Sequence, residues 1–445
     1  MLKDSQGLTV TTNSPEAIAA IDRFKSASLS YGNDAQVILR GIEADPECAI
    51  ANAYAATYYL TQESAEARSC ARAYLQAANK YLDRVTEREK LYIWAISAWE
   101  RGDIAGAIAY HEEIAEKFPR DIISVQMAQY HYFYIGNSEA LLQIAEKVLP
   151  DNRENHYLHG MIAFGLEQCH RLQEAEVAGR RAVEMNRNDP WAQHAVAHVM
   201  ETQGRLDEGI AWMEGFSDTW ENCNSMLFTH NWWHIALYYL EKEDIQKVLA
   251  FYDTYIWGRA TKKSSKDQVG AISLLLRLEL RGVDVGSRWQ EVATYLSARI
   301  HEHSLPFQDL HYIYALARAE ENQLLHEMLL SMQTYANQAL PYIQRMWTEV
   351  AIPAARGMAA HAQGNWQGAI AQLGSTLPRL YEIGGSHAQR DLFEQVYLDA
   401  WLRNEQNYAA LRLLSKRVAA RRYIPSIQRG VTLNYNNLGL RVKAS

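Results

Sequence analysis

RGDIAGAIAYHEEIAEKFP at residues 101–119, IGNSEALLQIAEKVLP at 135–150, HRLQEAEVAGRRAVEMNRNDP at 170–190 and QGRLDEGIAWMEG at 203–215 share one layout. Each opens on a turn and runs into apolar residues spaced by three and four, the mark of an amphipathic helix. The turn positions are Gly102, Gly136, His170 and Gly204, so the interval is 34 residues each time.

A 34-residue helix-turn-helix unit is the tetratricopeptide pattern: a small or polar turn residue, alanine in the second helix, and proline near its end. No unit carries the full Trp, Leu-Gly, Tyr set, so the array is degenerate. Outward from this centre, hairpins are expected at Pro15 to Arg40 and at Pro46 to Leu82, the latter announced by Asp45-Pro46. Helices are expected again at Val269 to Arg281, Ser287 to Glu302, Pro306 to Ala319 and Gln323 to Tyr335. A repeat-like pair with its turn at Gly364 and a last pair from Ser386 to about Arg421 follow. Strand alternation is nearly absent. The sequence therefore predicts an all-α protein, a right-handed α-α superhelix of tetratricopeptide-like repeats forming a single array over residues 1–445. Its parts are N-terminal helical hairpins at 1–85, regular repeats at 86–256, a loop at 257–270, degenerate repeats at 271–425 and a tail at 426–445.

Bulk properties narrow the function. The 44 Lys+Arg against 52 Asp+Glu give a formal charge of −8, and neither sign forms a long block, so no nucleic-acid footprint is expected. The most basic piece, SKRVAARRY at 415–423, reads as the solvated face of a last helix. Cys48, Cys70, Cys169 and Cys223 form no C-x-x-C pair, which argues against thiolate zinc and suits a reducing cytoplasm. The first residues lack the apolar core of a signal peptide, and no run of ~18 apolar residues predicts a membrane span.

Chemistry concentrates between Pro190 and Glu241. His194 and His198 are four residues apart, as are His230 and His234, and Glu201 continues the first stripe, so each set shares a helix face. The first helix of such a pair is expected to line a concave surface. The two histidine pairs are offset by about a helical turn relative to their turns, and His156 and His159 extend the same lining. Three readings stand for the pairs: polar packing, acid–base or substrate binding, and a divalent metal held by His194, His198, His230 and His234 with Glu201 or Asp309. Asp309 either orients His311 or caps its helix. In GGSHAQRD, Gly384 and Gly385 permit positive φ, and Ser386 with Gln389 forms a capping box. His387, Arg390 and Asp391 are left over, and an arginine at a helix N-terminus suits an acidic group. Trp233, beside His234, is the aromatic expected to face the groove.

HAVAHVMETQGRLDEGIAWM, HNWWHIALYYLEKEDIQKVLAFYD, FQDLHYIYALA and GGSHAQRDLFEQ, together with GMIAFGLEQC, resemble blocks of the tetratricopeptide repeat protein 38 family in the expected order. The resemblance implies a helical repeat fold and names no reaction. The residues themselves support two expectations. One is an enzyme or binder of a compact small molecule, with His194, His198, His230, His234, His311 and His387 in acid–base roles and Trp233, Asp309, Gln389, Arg390 and Asp391 holding the substrate. The other is a scaffold for a protein partner, the usual work of tetratricopeptide arrays. No nucleophile elbow, phosphate loop or dinucleotide fingerprint is present.

Overall fold

The computed structural model describes residues 1–420. The tail expected at 426–445, and the end of the basic stretch at 421–423, lie outside the described residues. The fold is all-α and tetratricopeptide-like, and its contacts separate two units: Met1–Val196 with Phe216–Phe228, and Ala197–Gly215 with Thr229 onward.

The first unit opens with a short antiparallel pair, β1 (Leu2–Lys3) and β2 (Thr9–Val10). Hairpins follow: α1 (Pro15–Leu29) with α2 (Ile38–Ala44), α3 (Ala49–Leu60) with α4 (Ala65–Asn79), α5 (Glu87–Glu100) with α6 (Ile104–Lys117), α7 (Ile122–Tyr134) with α8 (Ser138–Val148), and α9 (His156–Gln168) with α10 (Leu172–Met185). Buried ion pairs fasten its N-terminal strands. Lys25 meets Asp4 at 2.5 Å, and Arg88 meets Asp121 at 2.8 Å while also donating to the Thr9 carbonyl. Removing one member of such a pair leaves an uncompensated buried charge, which costs about 3–5 kcal/mol.

The 34-residue interval has a local cause. Gly102, Gly136, His170 and Gly204 all adopt left-handed φ, at +80°, +72°, +57° and +69°. Each thereby ends one helix, and at Asp103 and Asn137 the very next side chain caps the following helix by accepting from its third amide. Glu243-Asp244 and Gly364-Asn365 repeat the device in the second unit. No atom lies within 4 Å of where a Cβ on Gly102 would stand, so Gly102→Ala tests conformation alone. Chemical denaturation should show it about 1 kcal/mol less stable.

The second unit begins inside α11 (Pro190–Gln203) and includes α12 (Leu206–Glu214), the body of α13 (Ser225–Glu241), α14 (Ile245–Phe251), α15 (Ser265–Leu280) and α16 (Arg288–Ala293). Next come α17 (Pro306–Arg318), α18 (Asn322–Gln338), α19 (Pro341–Met346), α20 (Ile352–Ala362), α21 (Trp366–Thr376), α22 (His387–Arg403) and α23 (Asn407–Ala420). Two expectations are corrected here. The helix expected over Ser287 to Glu302 stops at Ala293 and passes into turns closed by i→i−3 bonds, from Tyr295 to Val292 and from Leu296 to Ala293; beyond it Arg299 donates to the Lys263 carbonyl and to Gln268 Oε1 at 3.2 Å. The stretch 257–270 is loop only up to Ser264, which caps α15. It is also pinned: the Trp257 indole donates to Glu291 at 2.6 Å, and Lys262 lies 3.7 Å over the Trp257 ring.

Two of the first helices, α7 and α17, present no open lining over most of their length. Every residue of α17 from Pro306 to Ala317 is buried, as is every residue of α7 from Ile122 to Gln129. Among the described residues, no helix is long and apolar enough to cross a membrane.

Candidate metal centre

Small residues set the register of the helices that carry the histidines. Gly209 of α12 lies against the ring of Tyr238 on α13, where an added Cβ would stand 2.3 Å from Cζ. The Tyr238 hydroxyl donates to the Ala197 carbonyl of α11 at 2.6 Å. This close approach places the face of α11 bearing His198 and Glu201 beside the face of α13 bearing His230 and His234.

His198 of α11 faces His234 of α13. The rings of His198 and His234 have centroids 4.5 Å apart, and those of His230 and His234 are 4.8 Å apart, nearly perpendicular at 84°. His234 Nε2 lies 3.3 Å from His230 Nε2. Ligands on a tetrahedral ion with bonds of about 2.0–2.1 Å sit roughly 3.3–3.4 Å from one another, so this spacing already matches a shared cation. One ring nitrogen from each of His198, His230 and His234 lies within 4.8 Å of the others.

Glu201 is not a ligand in this arrangement. Its Oε2 lies 3.1 Å from His234 Nδ1. A carboxylate there takes the Nδ1 proton and leaves the Nε2 lone pair facing His230, the carboxylate–histidine relation that orients metal ligands. His230 is packed flat on Trp233, with centroids 5.3 Å apart and planes 10° apart. Burial, reinforced by His198, pushes the His230 imidazole down to about 3, so it is neutral at pH 7. A neutral imidazole keeps a ring lone pair for a ligand at pH 7. Trp233 is buried beneath His230, with Arg277 5.1 Å over its ring, and so it lines no open groove.

Other expected residues fall elsewhere. Asp309 stands in the first turn of α17, as the cap reading expected, without a capping hydrogen bond, and it does not touch His311; its Oδ2 lies 2.7 Å from Nδ1 of His303. Residues two apart on a helix point to different sides, which is why Asp309 and His311 cannot face each other. His311 gives Nδ1 to the Phe307 carbonyl at 2.7 Å, packs against Phe307 and Phe393, and is pushed down to about 4 by burial. The capping box of Ser386 and Gln389 is present, and it occupies the Gln389 side-chain carbonyl. Arg390 is turned back onto the Gly385 carbonyl, with Nη2 3.4 Å from His387 Nδ1, and Asp391 pairs with Arg417 at 2.8 Å. In the first unit, His156 is held by Asp189 at 2.8 Å and His159 by the Arg153 carbonyl, so neither extends a lining.

No protein-family model matches the chain. Among solved structures, it is similar to a human IFIT1 dimer with PPP-AAAA, at 15% identity and TM-score 0.42, covering 94% of this chain and 95% of that one. It is also similar to the Cut9–Hcn1 hetero-tetramer of APC/C, at 12% identity and TM-score 0.43 over 96% of this chain and 78% of that one. A third is yeast Tom70, at 11% identity and TM-score 0.34, covering 95% and 96%. These likenesses carry nothing about ligand or partner.

Sequence reasoning missed His303 and Ser331. His303 lies in HEHS, outside any helical period, and Ser331 sits mid-helix with no motif around it. The one signal was an unassigned His-x-His at His301 and His303.

Proposed function

We propose that this chain is a metal-dependent helical-repeat protein that holds one divalent transition-metal ion on His198, His230 and His234 of its second unit. The observation that carries the reading is His234: Glu201 fixes its Nδ1 while its Nε2 stands 3.3 Å from the Nε2 of His230. An all-imidazole set suits zinc, copper, nickel or iron(II) and disfavours calcium or magnesium. A bound ion would tie α11 to α13 and supply Lewis acidity toward a compact oxygen- or nitrogen-bearing ligand. Kinship with the tetratricopeptide repeat protein 38 family belongs to the same proposal.

A second reading is a protein-interaction scaffold, favoured by the repeat architecture itself. The two are separated by thermal melting of chelator-treated protein with and without added Zn²⁺ or Ni²⁺. Stabilisation by mass action, reaching about 4 kcal/mol at a thousandfold excess over Kd, is expected of the metal reading. An unchanged melt, with protein that purifies free of transition metal, would leave the scaffold.

A further inference from the structure

Away from the histidine cluster, the second unit contains an ordered relay around one hydroxyl. Asp309 Oδ2 lies 2.7 Å from His303 Nδ1, and His303 Nε2 lies 2.8 Å from Ser331 Oγ. Asp309 and His303 are buried. A carboxylate on Nδ1 and a hydroxyl on Nε2 is the order that makes a serine nucleophilic: the acid holds the imidazole in the tautomer whose lone pair faces the hydroxyl proton. His303 is held for this. Its φ is +45°, a left-handed conformation unfavourable for a residue with a Cβ, and Tyr335 and Trp347 pack on its ring at 5.5 and 5.8 Å.

A second imidazole reaches the same oxygen. His301 Nδ1 lies 2.9 Å from Ser331 Oγ, and His301 Nε2 lies 3.1 Å from Glu327 Oε1. Ser331 has one proton, and His303 takes it. His301 thus bridges Ser331 Oγ and Glu327 Oε1 at the edge of the relay. His301 is 61% exposed on its side chain, so the outer edge of the relay meets solvent.

We infer that Ser331 is the nucleophile of a second site that transfers or hydrolyses acyl groups of accessible esters, with His303 as its base and Asp309 as a positioning residue. Ser331 Oγ bonds to the acyl carbon as the bond to the leaving alcohol breaks. The hydroxyl proton passes to His303 Nε2 and then to that alcohol. Water repeats the sequence on the acyl-serine, releasing the acid and returning the proton to Ser331.

The test uses a fluorophosphonate, which phosphonylates activated serines with loss of fluoride, and p-nitrophenyl acetate as the ester. Peptide mass spectrometry of the full chain should place the adduct on Ser331, with none in Ser331→Ala. His303→Gln should lower the labelling rate by roughly 10²–10⁴-fold, the range of general-base assistance. Asp309→Asn should lower it too, and Asp309→Glu should recover part of the loss, which a merely structural carboxylate would not require. If protein with an unchanged melting curve is not labelled at Ser331, or labels equally in His303→Gln, the relay only ties the loop at 294–305 to α18 and the inference is overturned. Chelation separates this site from the metal proposal, because labelling of Ser331 needs no ion.

Discussion

His234→Ala is expected to weaken the affinity of the protein for Zn²⁺ or Ni²⁺ by roughly 10²–10³-fold. Structural sites of four donors are worth about 10–16 kcal/mol, so one donor accounts for roughly 3 kcal/mol. Glu201→Gln removes no ligand but takes the carboxylate charge from the acceptor of His234 Nδ1–H, and a loss of about 10–100-fold is expected from it. Isothermal titration of chelator-treated protein measures both. His311→Ala and His387→Ala serve as controls, because His311 is committed to the Phe307 carbonyl and His387 to the first turn of α22. If either control weakens binding as much as His234→Ala does, the ligand set is wrongly drawn.

Acidification should destabilise both units well before their carboxylates titrate. His111 in the first unit gives Nδ1 to Ser124 Oγ at 2.7 Å, and its Nε2 meets no hydrogen-bonding atom among the described residues. The rings of Tyr92 and His131 close over it. Burial pushes its imidazole down to about 4, against a smaller upward pull from Asp121. His311 in the second unit is likewise pushed down to about 4, by burial first, with the Phe307 carbonyl opposing. Between pH 6.5 and 4 the unfolded chain therefore binds protons that the folded chain refuses. The stability from each group is complete above pH 6.5 and is lost as pH falls toward 4, by about 3 kcal/mol per histidine. Urea midpoints at pH 7.5 and pH 5 measure the loss. In His111→Asn, which keeps a partner for Ser124 without a titrating ring, the midpoint difference should shrink. An equal difference in wild type and variant would contradict the assignment.

The repeat was legible because its cause is local. A left-handed residue ends a helix every 34 residues, followed by a capping side chain at Asp103 and Asn137, and even His170, without glycine, keeps the position. The histidine pairs were legible for the same reason, since residues four apart share a helix face. The facing of His198 and His234 was not, because the register of α11 on α13 depends on Gly209 meeting Tyr238 and on the Tyr238 hydroxyl reaching Ala197, contacts between residues far apart in the chain. His303 and Ser331 are 28 residues apart and share no period, so only tertiary structure joins them. The stretch from Ser287 to Glu302 shows the converse: helical spacing was present throughout, yet after Ala293 the backbone bonds tighten to i→i−3 turns.

X-ray absorption at the metal edge of the loaded, full-length protein tests the central claim most directly. A single ion per chain in a shell of imidazole nitrogens at about 2.0–2.1 Å is predicted, with the imidazole signature lost in the His198→Ala, His234→Ala double variant. A shell of oxygens or sulfurs, or a nitrogen shell unchanged by that double variant, would contradict it.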